Sequence, residues 1–173
     1  IESQLNANYS FDNFLEGDSN RLARSAGMAV ANKPGGTSFN PLLIFGGVGL
    51  GKTHLIQAIG NYIKSTQSNK FVLYVSSEKF VNQFINAIRN NTLQAFTNFY
   101  MQIDVLILDD VQFLAGKENL ENPDAPINLI HQTHAEPPNL GMRVEQSQSL
   151  LLSNGSDHPL KPMKQSNQVV VLA

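Results

Sequence analysis

The chain has 173 residues, 42% of them hydrophobic and 15% charged, with a formal charge of −2 and neither cysteine nor tryptophan. That length supports a real core in one domain, and the balance excludes a disordered acidic or basic tail. The missing cysteines exclude disulfides, thiolate zinc sites and cysteine nucleophiles, and no apolar run approaches the roughly 20 residues that span a bilayer. The near-neutral charge argues against a surface coated for nucleic acid but leaves room for a local groove. The opening Ile1-Glu2-Ser3-Gln4 shows no secretory signal, so a cytoplasmic location is expected. The chain begins with Ile1 rather than Met and stops within Val169–Ala173, which reads as a buried strand, so a piece of a longer protein is expected.

Residues 1–118 alternate strand and helix patterns. Asp18-Ser19 can cap a helix through about Ala31, with Leu22, Ala26, Ala29 and Val30 on one side. Lys33-Pro34-Gly35-Gly36 breaks it, and Pro41–Phe45 reads as a short apolar strand. A glycine loop leads to a helix over about Lys52–Ser65, and Phe71–Val75 is the next strand. Ser76 or Ser77 caps a helix carrying Phe80, Phe84, Ile85 and Ile88. Asn90-Asn91-Thr92 interrupts it, and a shorter helix carries Leu93, Phe96 and Phe99. Val105–Leu108 is a third strand. Apolar runs of this length between helices read as parallel strands buried on both faces, which makes the class α/β with a doubly wound sheet. Residues 119–168 differ: six of the eight prolines crowd there (Pro123, Pro126, Pro137, Pro138, Pro159, Pro162), with the whole excess of negative charge. Proline at that density opposes long helices and central strands.

Gly46-Gly47-Val48-Gly49-Leu50-Gly51-Lys52-Thr53 fits G-x-x-x-x-G-K-[ST] at every position, with a strand before it and a helix after it. Glycines let the backbone turn tightly and aim successive N–H groups at phosphate oxygens, and the helix N-terminus adds partial positive charge. Lys52 can reach the β- and γ-phosphates, and the Thr53 hydroxyl can ligate Mg²⁺. His54, next on the helix, is placed beside the nucleotide by position, although its chemistry suits a structural role equally. Val105–Leu108 then ends in Asp109-Asp110. In a parallel sheet the carboxyl ends of the strands face the ligand crevice. Asp109 is the candidate to hold Mg²⁺ and Asp110 the candidate to orient or deprotonate the attacking water. A solvated turn is the plain alternative for this pair.

Three stretches together resemble the ATPase domain of the bacterial chromosomal replication initiator (DnaA) family. They are Gly46–Thr53, Ser76-Ser77-Glu78-Lys79-Phe80 and the run Asp-Asp-Val-Gln-Phe-Leu-Ala-Gly-Lys-Glu over 109–118. Tyr9-Ser10-Phe11-Asp12-Asn13-Phe14, with Gly17 and Asn20, looks like the family's leading segment, and the resemblance covers about residues 5–118. It implies an AAA+ core that binds ATP or ADP with Mg²⁺, self-assembles in its ATP state on origin DNA, and works with the replicative helicase machinery. By the same resemblance Phe14, Gly17 and Asn20 neighbour the adenine, while core packing is the plain reading of Phe11 and Phe14. The region Phe80–Tyr100 matches an initiator-specific helical insertion that grips single-stranded DNA. Ile85 matches a position facing that strand, and Lys117, just after the acidic strand, matches a nearby basic one. Lys79 and Arg89 could neutralise phosphates or simply be solvated. The helical spacing of Phe80, Phe84 and Ile88 suits core packing as well as base stacking.

The resemblance breaks after Glu118. Asn119–Asn167 does not read as the amphipathic helix expected there, and Lys164–Leu172 again resembles the approach to the sensor-1 strand. An inserted segment, a misread or frameshifted stretch, or a loop of unrelated origin would each produce this. A non-native or poorly ordered segment is expected, since a structureless loop of this length is rare within a compact domain. His131-x-x-His134 could pair on a metal only in a helix that the flanking prolines oppose. The sensor-2 arginine, arginine finger, helical lid and duplex-DNA-binding domain are expected downstream. Weak nucleotide binding and very slow hydrolysis are therefore expected of the chain alone. The alternatives are an AAA+ helicase loader or regulatory ATPase acting through protein partners, and a defective, non-binding product.

Overall fold

A computed structural model describes residues 2–115, 143–146 and 169–173. Helix α1 (Arg21–Asn32) precedes strand β1 (Leu42–Phe45), and α2 (Lys52–Thr66) leads to β2 (Val72–Ser76). Helices α3 (Ser77–Arg89) and α4 (Leu93–Tyr100) lie before β3 (Val105–Asp109), which the short α5 (Gln112–Ala115) follows. Strands β4 (Arg143–Gln146) and β5 (Val169–Leu172) come from the later part of the chain. All five strands form one sheet in the order β2-β3-β5-β1-β4. β2, β3, β5 and β1 run parallel, and β4 pairs antiparallel with β1 at the edge. The α/β class with a parallel sheet flanked by helices is the one expected. The strand at 143–146 was not expected, because it falls in the proline-rich part. The rest of 119–168, with His131, His134 and the approach Lys164–Gln168, lies outside the described residues.

Side-chain alternation along the strands divides the core between the two faces. Leu42, Ile44, Val72, Val105, Ile107 and Val171 point into one cluster with α1 and α2. Leu43, Leu73, Val75, Leu106, Leu108 and Val170 point the other way, where Phe80 of α3 and Tyr100 of α4 cover them. β3 is buried at all five positions, as a parallel strand with helices on both faces requires. Helix α2 seats deeply on the first face. A Cβ added at Gly60 would lie 2.7 Å from Ile107 Cδ1, and one at Gly27 of α1 would lie 2.9 Å from Ile59 Cδ1. These two glycines let α2 approach β3 and α1.

Three sequence readings are corrected. Helix α1 starts at Arg21 after Asn20, not after Asp18-Ser19, because Asn20 Oδ1 turns back to accept the Gly17 N–H at 2.8 Å. Its buried face is Ala23, Ala26, Gly27, Val30 and Ala31, so Leu22 is 67% exposed and Ala29 is also exposed. In α3 the fully buried residues are Ser77, Val81 and Ala87, while Ile88 is exposed. Helix α4 folds back over Phe80 and Phe84 and leaves Ile88 uncovered near the turn at Asn90-Asn91-Thr92.

Candidate functional site

Strand β1 delivers the chain into the loop Gly46–Gly51, and α2 carries it away. Gly49 has φ +82 and Gly51, at the N-cap of α2, has φ +88. A side chain at either position would be strained, so the motif's glycines are conformational requirements here. Gly51 offers no side-chain cap, so the first N–H groups of α2 lack a capping side chain among the described residues. Lys52 Nζ lies over the loop and donates to the Gly46 carbonyl at 2.9 Å and the Gly47 carbonyl at 3.0 Å. Gly47, Val48 and Thr53 are exposed, and Leu50 anchors the loop against the core. A glycine loop, the uncapped start of α2 and the Lys52 ammonium therefore lie together, an arrangement that can hold a phosphate chain.

The carboxyl end of β3 presents two carboxylates in different settings. Asp109 is 4% exposed and has no salt-bridge partner among the described residues. Its Oδ2 accepts from the Tyr74 hydroxyl at 2.8 Å, its Oδ1 accepts from the Asp110 N–H at 2.9 Å, and its carbonyl accepts from Ser77 Oγ at 2.8 Å. Asp110 is exposed, at the left-handed φ of 57, and its Oδ1 accepts from Gln112 Nε2 at 3.2 Å. Asp110 also lines an open pocket of about 320 Å³ together with Ser76, Glu78, Gln112 and Phe113. Burial, then the hydrogen bond to and charge of Asp109, push the Tyr74 phenol well above its ordinary pKa. The phenol is therefore a proton donor to Asp109 across the physiological range.

The leading segment is tied to α2 by a polar stripe along the helix. His54 Nε2 meets the Ser10 carbonyl at 2.9 Å and Asn13 Oδ1 at 3.0 Å. Gln57 Oε1 accepts from the Asn6 N–H at 2.9 Å, and Asn61 Nδ2 donates to the Asn6 and Tyr9 carbonyls, both at 2.8 Å. Lys64 Nζ reaches Ser3 Oγ at 3.0 Å. The spacing 54, 57, 61, 64 places these four on one face. His54 also packs against the Tyr9 ring at 4.9 Å and the Phe14 ring at 5.3 Å. Phe11 and Phe14 are buried in the core, with Phe11 edge-on to Tyr62. Asn20 is buried too, its amide nitrogen donating to the Leu15 carbonyl at 3.0 Å. Gly17 has open space around it. The segment is thus brought to the start of α2, beside the loop.

The DNA-facing candidates lie on α3. Lys79 and Arg89 are exposed and Ile85 is half-buried, while Lys117 lies outside the described residues. The insertion's rings are packed on one another. Phe80 lies 5.0 Å from Tyr100 and 5.6 Å from Phe96, and Phe84 lies 5.6 Å from Phe96. Leu93, Phe99 and Met101 remain exposed. Sequence reasoning did not single out Tyr74, Gln57 or Asn61. The polar 3-4-3 spacing along α2 was the available signal for the last two. A lone tyrosine in an apolar strand carries no such signal.

The family model described as the bacterial DnaA ATPase domain matches residues 5–132. The chain belongs to the DnaA family. The match runs past Glu118, where the sequence resemblance ended. The chromosomal replication initiator protein DnaA of Flavobacterium psychrophilum is 67% identical over 133 residues, covering 76% of the chain and 28% of that relative. The DnaA of Chlorobaculum tepidum is 46% identical over 165 residues, covering 95% of the chain and 30% of the relative. The chain spans less than a third of the length of these curated relatives. Among solved structures, domain III of the Thermotoga maritima replication initiation protein DnaA matches with a TM-score of 0.63 at 46% identity, covering 66% of this chain and 48% of that one. A replication initiator DnaA bound to AMPPCP and single-stranded DNA matches with a TM-score of 0.61 at 40% identity, covering 67% and 35%. The shared fold is therefore an AAA+ core of the DnaA kind. Among the described residues no helix is long and apolar enough to cross a membrane.

Proposed function

We propose that this chain is the nucleotide-binding core of a bacterial replication initiator. In this reading it binds ATP and ADP with Mg²⁺, and its nucleotide state sets assembly of the whole protein on origin DNA. The observation that carries the reading is the loop between β1 and α2, with Lys52 lying over it and no side chain capping the helix. The DnaA structure bound to AMPPCP and single-stranded DNA supports it.

Lys52 and the first N–H groups of α2 hold the phosphates. Phe14, Asn20 and His54 shape the side of the pocket formed by the leading segment. The residues present fit Mg²⁺. Asp109 is a buried carboxylate without a counter-charge among the described residues, a costly state that a bound cation relieves. Asp109 and the Thr53 hydroxyl would both offer hard oxygen donors, and Mg²⁺ beside phosphates needs only one or two protein ligands. The described residues include no group of three or more His, Cys, Asp or Glu that could hold a metal by themselves. Such an ion would neutralise phosphate charge. In this reading Asp110, which is exposed, orients or deprotonates water, and slow hydrolysis resets the switch.

In the same reading Ile85, Lys79, Arg89 and Lys117 engage the single strand, and the oligomer works with the replicative helicase machinery in the cytoplasm. The half-buried Ile85 and the exposed Lys79 and Arg89 support an interface along α3. Lys52→Ala tests the assignment. Equilibrium titration should show saturable ATP and ADP binding by the parent, lost by at least tenfold in the variant, with an unchanged thermal transition. Equal binding by both proteins would sink the assignment.

A further inference from the structure

A connected set of hydrogen bonds crosses the molecule from the leading segment to the end of β3. The Asn6 N–H donates to Gln57 Oε1 at 2.9 Å. The Tyr74 hydroxyl donates to Asp109 Oδ2 at 2.8 Å. Gln57 is 5% exposed and Asp109 is 4% exposed, so water competes little for these bonds. The strand carrying Tyr74 is tied to the same segment directly, because the Tyr74 N–H donates to the Ser3 carbonyl at 2.9 Å.

From this arrangement we infer that Tyr74 is a positioning residue for Asp109, and that the bond from its N–H to Ser3 ties that position to the leading segment. This rests on the reading of Asp109 as the metal-side carboxylate. A carboxylate on a strand end can rotate about its terminal torsion, which is broad. Here Tyr74 holds Oδ2 and the Asp110 N–H holds Oδ1, so the plane of the group is defined before any cation arrives. Partners of this kind around a metal ligand typically change metal affinity or activity by about 10- to 100-fold when removed. The second consequence is a link between the two sides of the pocket. The segment that carries Phe11 and Phe14, and the carboxylate at the strand end, are both bonded to Tyr74, the first through its N–H and the second through its hydroxyl. Ordering of one side then favours the ordered geometry of the other.

The experiment uses the full-length protein containing this chain, with Tyr74→Phe as the first variant. That change keeps the ring and removes only the hydroxyl. ATP affinity is measured by titration in EDTA and across a Mg²⁺ series, and the half-saturating Mg²⁺ for enhanced binding is read from the series. Tyr74→Phe should raise that value by about tenfold while leaving affinity in EDTA within twofold of the parent. Tyr74→Leu, which also lacks the hydroxyl, should raise it as well, and it carries the test if Tyr74→Phe does not fold. A purely structural role would lower affinity in EDTA and in Mg²⁺ together, which overturns the inference. So does an unchanged half-saturating value in the variants. A parent that binds ATP with no response to Mg²⁺ overturns the metal role of Asp109 and this inference, and leaves the phosphate loop standing. A parent that binds no nucleotide in either buffer overturns the nucleotide reading itself.

Discussion

Asp104 joins the starts of the two strands that carry Tyr74 and Asp109. Its Oδ2 accepts from the Phe71 N–H at 2.9 Å, and its Oδ1 pairs with Lys70 Nζ at 3.1 Å. The Asp104 and Val105 N–H groups both donate to the Phe71 carbonyl, so β2 and β3 are pinned in register at this end. Burial would raise the carboxyl's pKa, but the Phe71 N–H and the Lys70 ammonium outweigh it and hold the group below its ordinary 3.8. A depressed carboxyl contributes stability that is complete above the unfolded value and is lost as pH falls through the folded one. Asp104→Asn should therefore cost about 1 kcal/mol at neutral pH. The gap between variant and parent should close as pH drops through 3.8 and below, followed by urea unfolding at a series of pH values. A gap that stays constant with pH would assign the effect to the backbone hydrogen bond rather than to charge.

Helix α4 illustrates how an element can be held by very few side chains. It buries no residue fully among those described, yet Phe96 and Tyr100 dock it on Phe80 and Phe84. The Tyr100 hydroxyl adds a hydrogen bond to Gln83 Oε1 at 2.7 Å, and burial pushes that phenol up to about 12. Phe96 touches three other rings, so Phe96→Ala removes most of the aromatic contact between the two helices. Aromatic pairs contribute about 0.5–1.5 kcal/mol each beyond their buried area. Hydrogen exchange should then quicken across 93–100 while β2 and β3 stay protected, because the opposite face of these strands is packed against α2 through Val72, Val105 and Ile107. Exchange that quickens everywhere would mean that α4 is part of one cooperative unit with the sheet. The helix α2 behaves in the opposite way. Its apolar side is buried at Leu55, Ile56, Ile59 and Ile63, and its polar stripe binds the leading segment, so it has no free side to release.

At the scale of the whole molecule the sheet depends on its last strand. β5 lies between β1, which ends in the phosphate loop, and β3, which ends in Asp109. Val171 is fully buried there, and Ala173 bonds to both Leu108 and Val111 across the end of β3. Without β5 the described strands would divide into β2-β3 and β1-β4, and the two halves of the site would lose their common frame. Val171→Asp places an unpaired carboxylate in that interior, at a cost of several kcal/mol. Its expected result is loss of the cooperative thermal transition by circular dichroism, whereas Val171→Ala should only lower the midpoint. A cooperative transition retained by the aspartate variant would show that β5 is peripheral to folding.

Some of this was legible in residue order alone. A glycine loop must take positive φ to turn over phosphates, so its residue types and spacing mark it directly, as Gly49, Gly51 and Lys52 illustrate. An apolar run ending in two aspartates marks a buried strand end in the same way, and the α/β class follows from strands alternating with helices. The aromatic packing of Phe80, Phe96 and Tyr100 was open to two readings, because helical spacing identifies a face but not what covers it. Leu22 and Ile88 were misplaced for that reason. β4 and the central seat of β5 depend on pairings between distant stretches, and no local pattern encodes a partner strand. The Ser3–Tyr74–Asp109 connection lies deeper still, since it joins three segments that meet only when the leading segment bonds to β2 and β2 pairs with β3. Local chemistry determined which residues could bind phosphate and metal. Tertiary packing decided which other residues hold them in place, because a hydrogen bond depends on distance and direction in space rather than on separation along the chain.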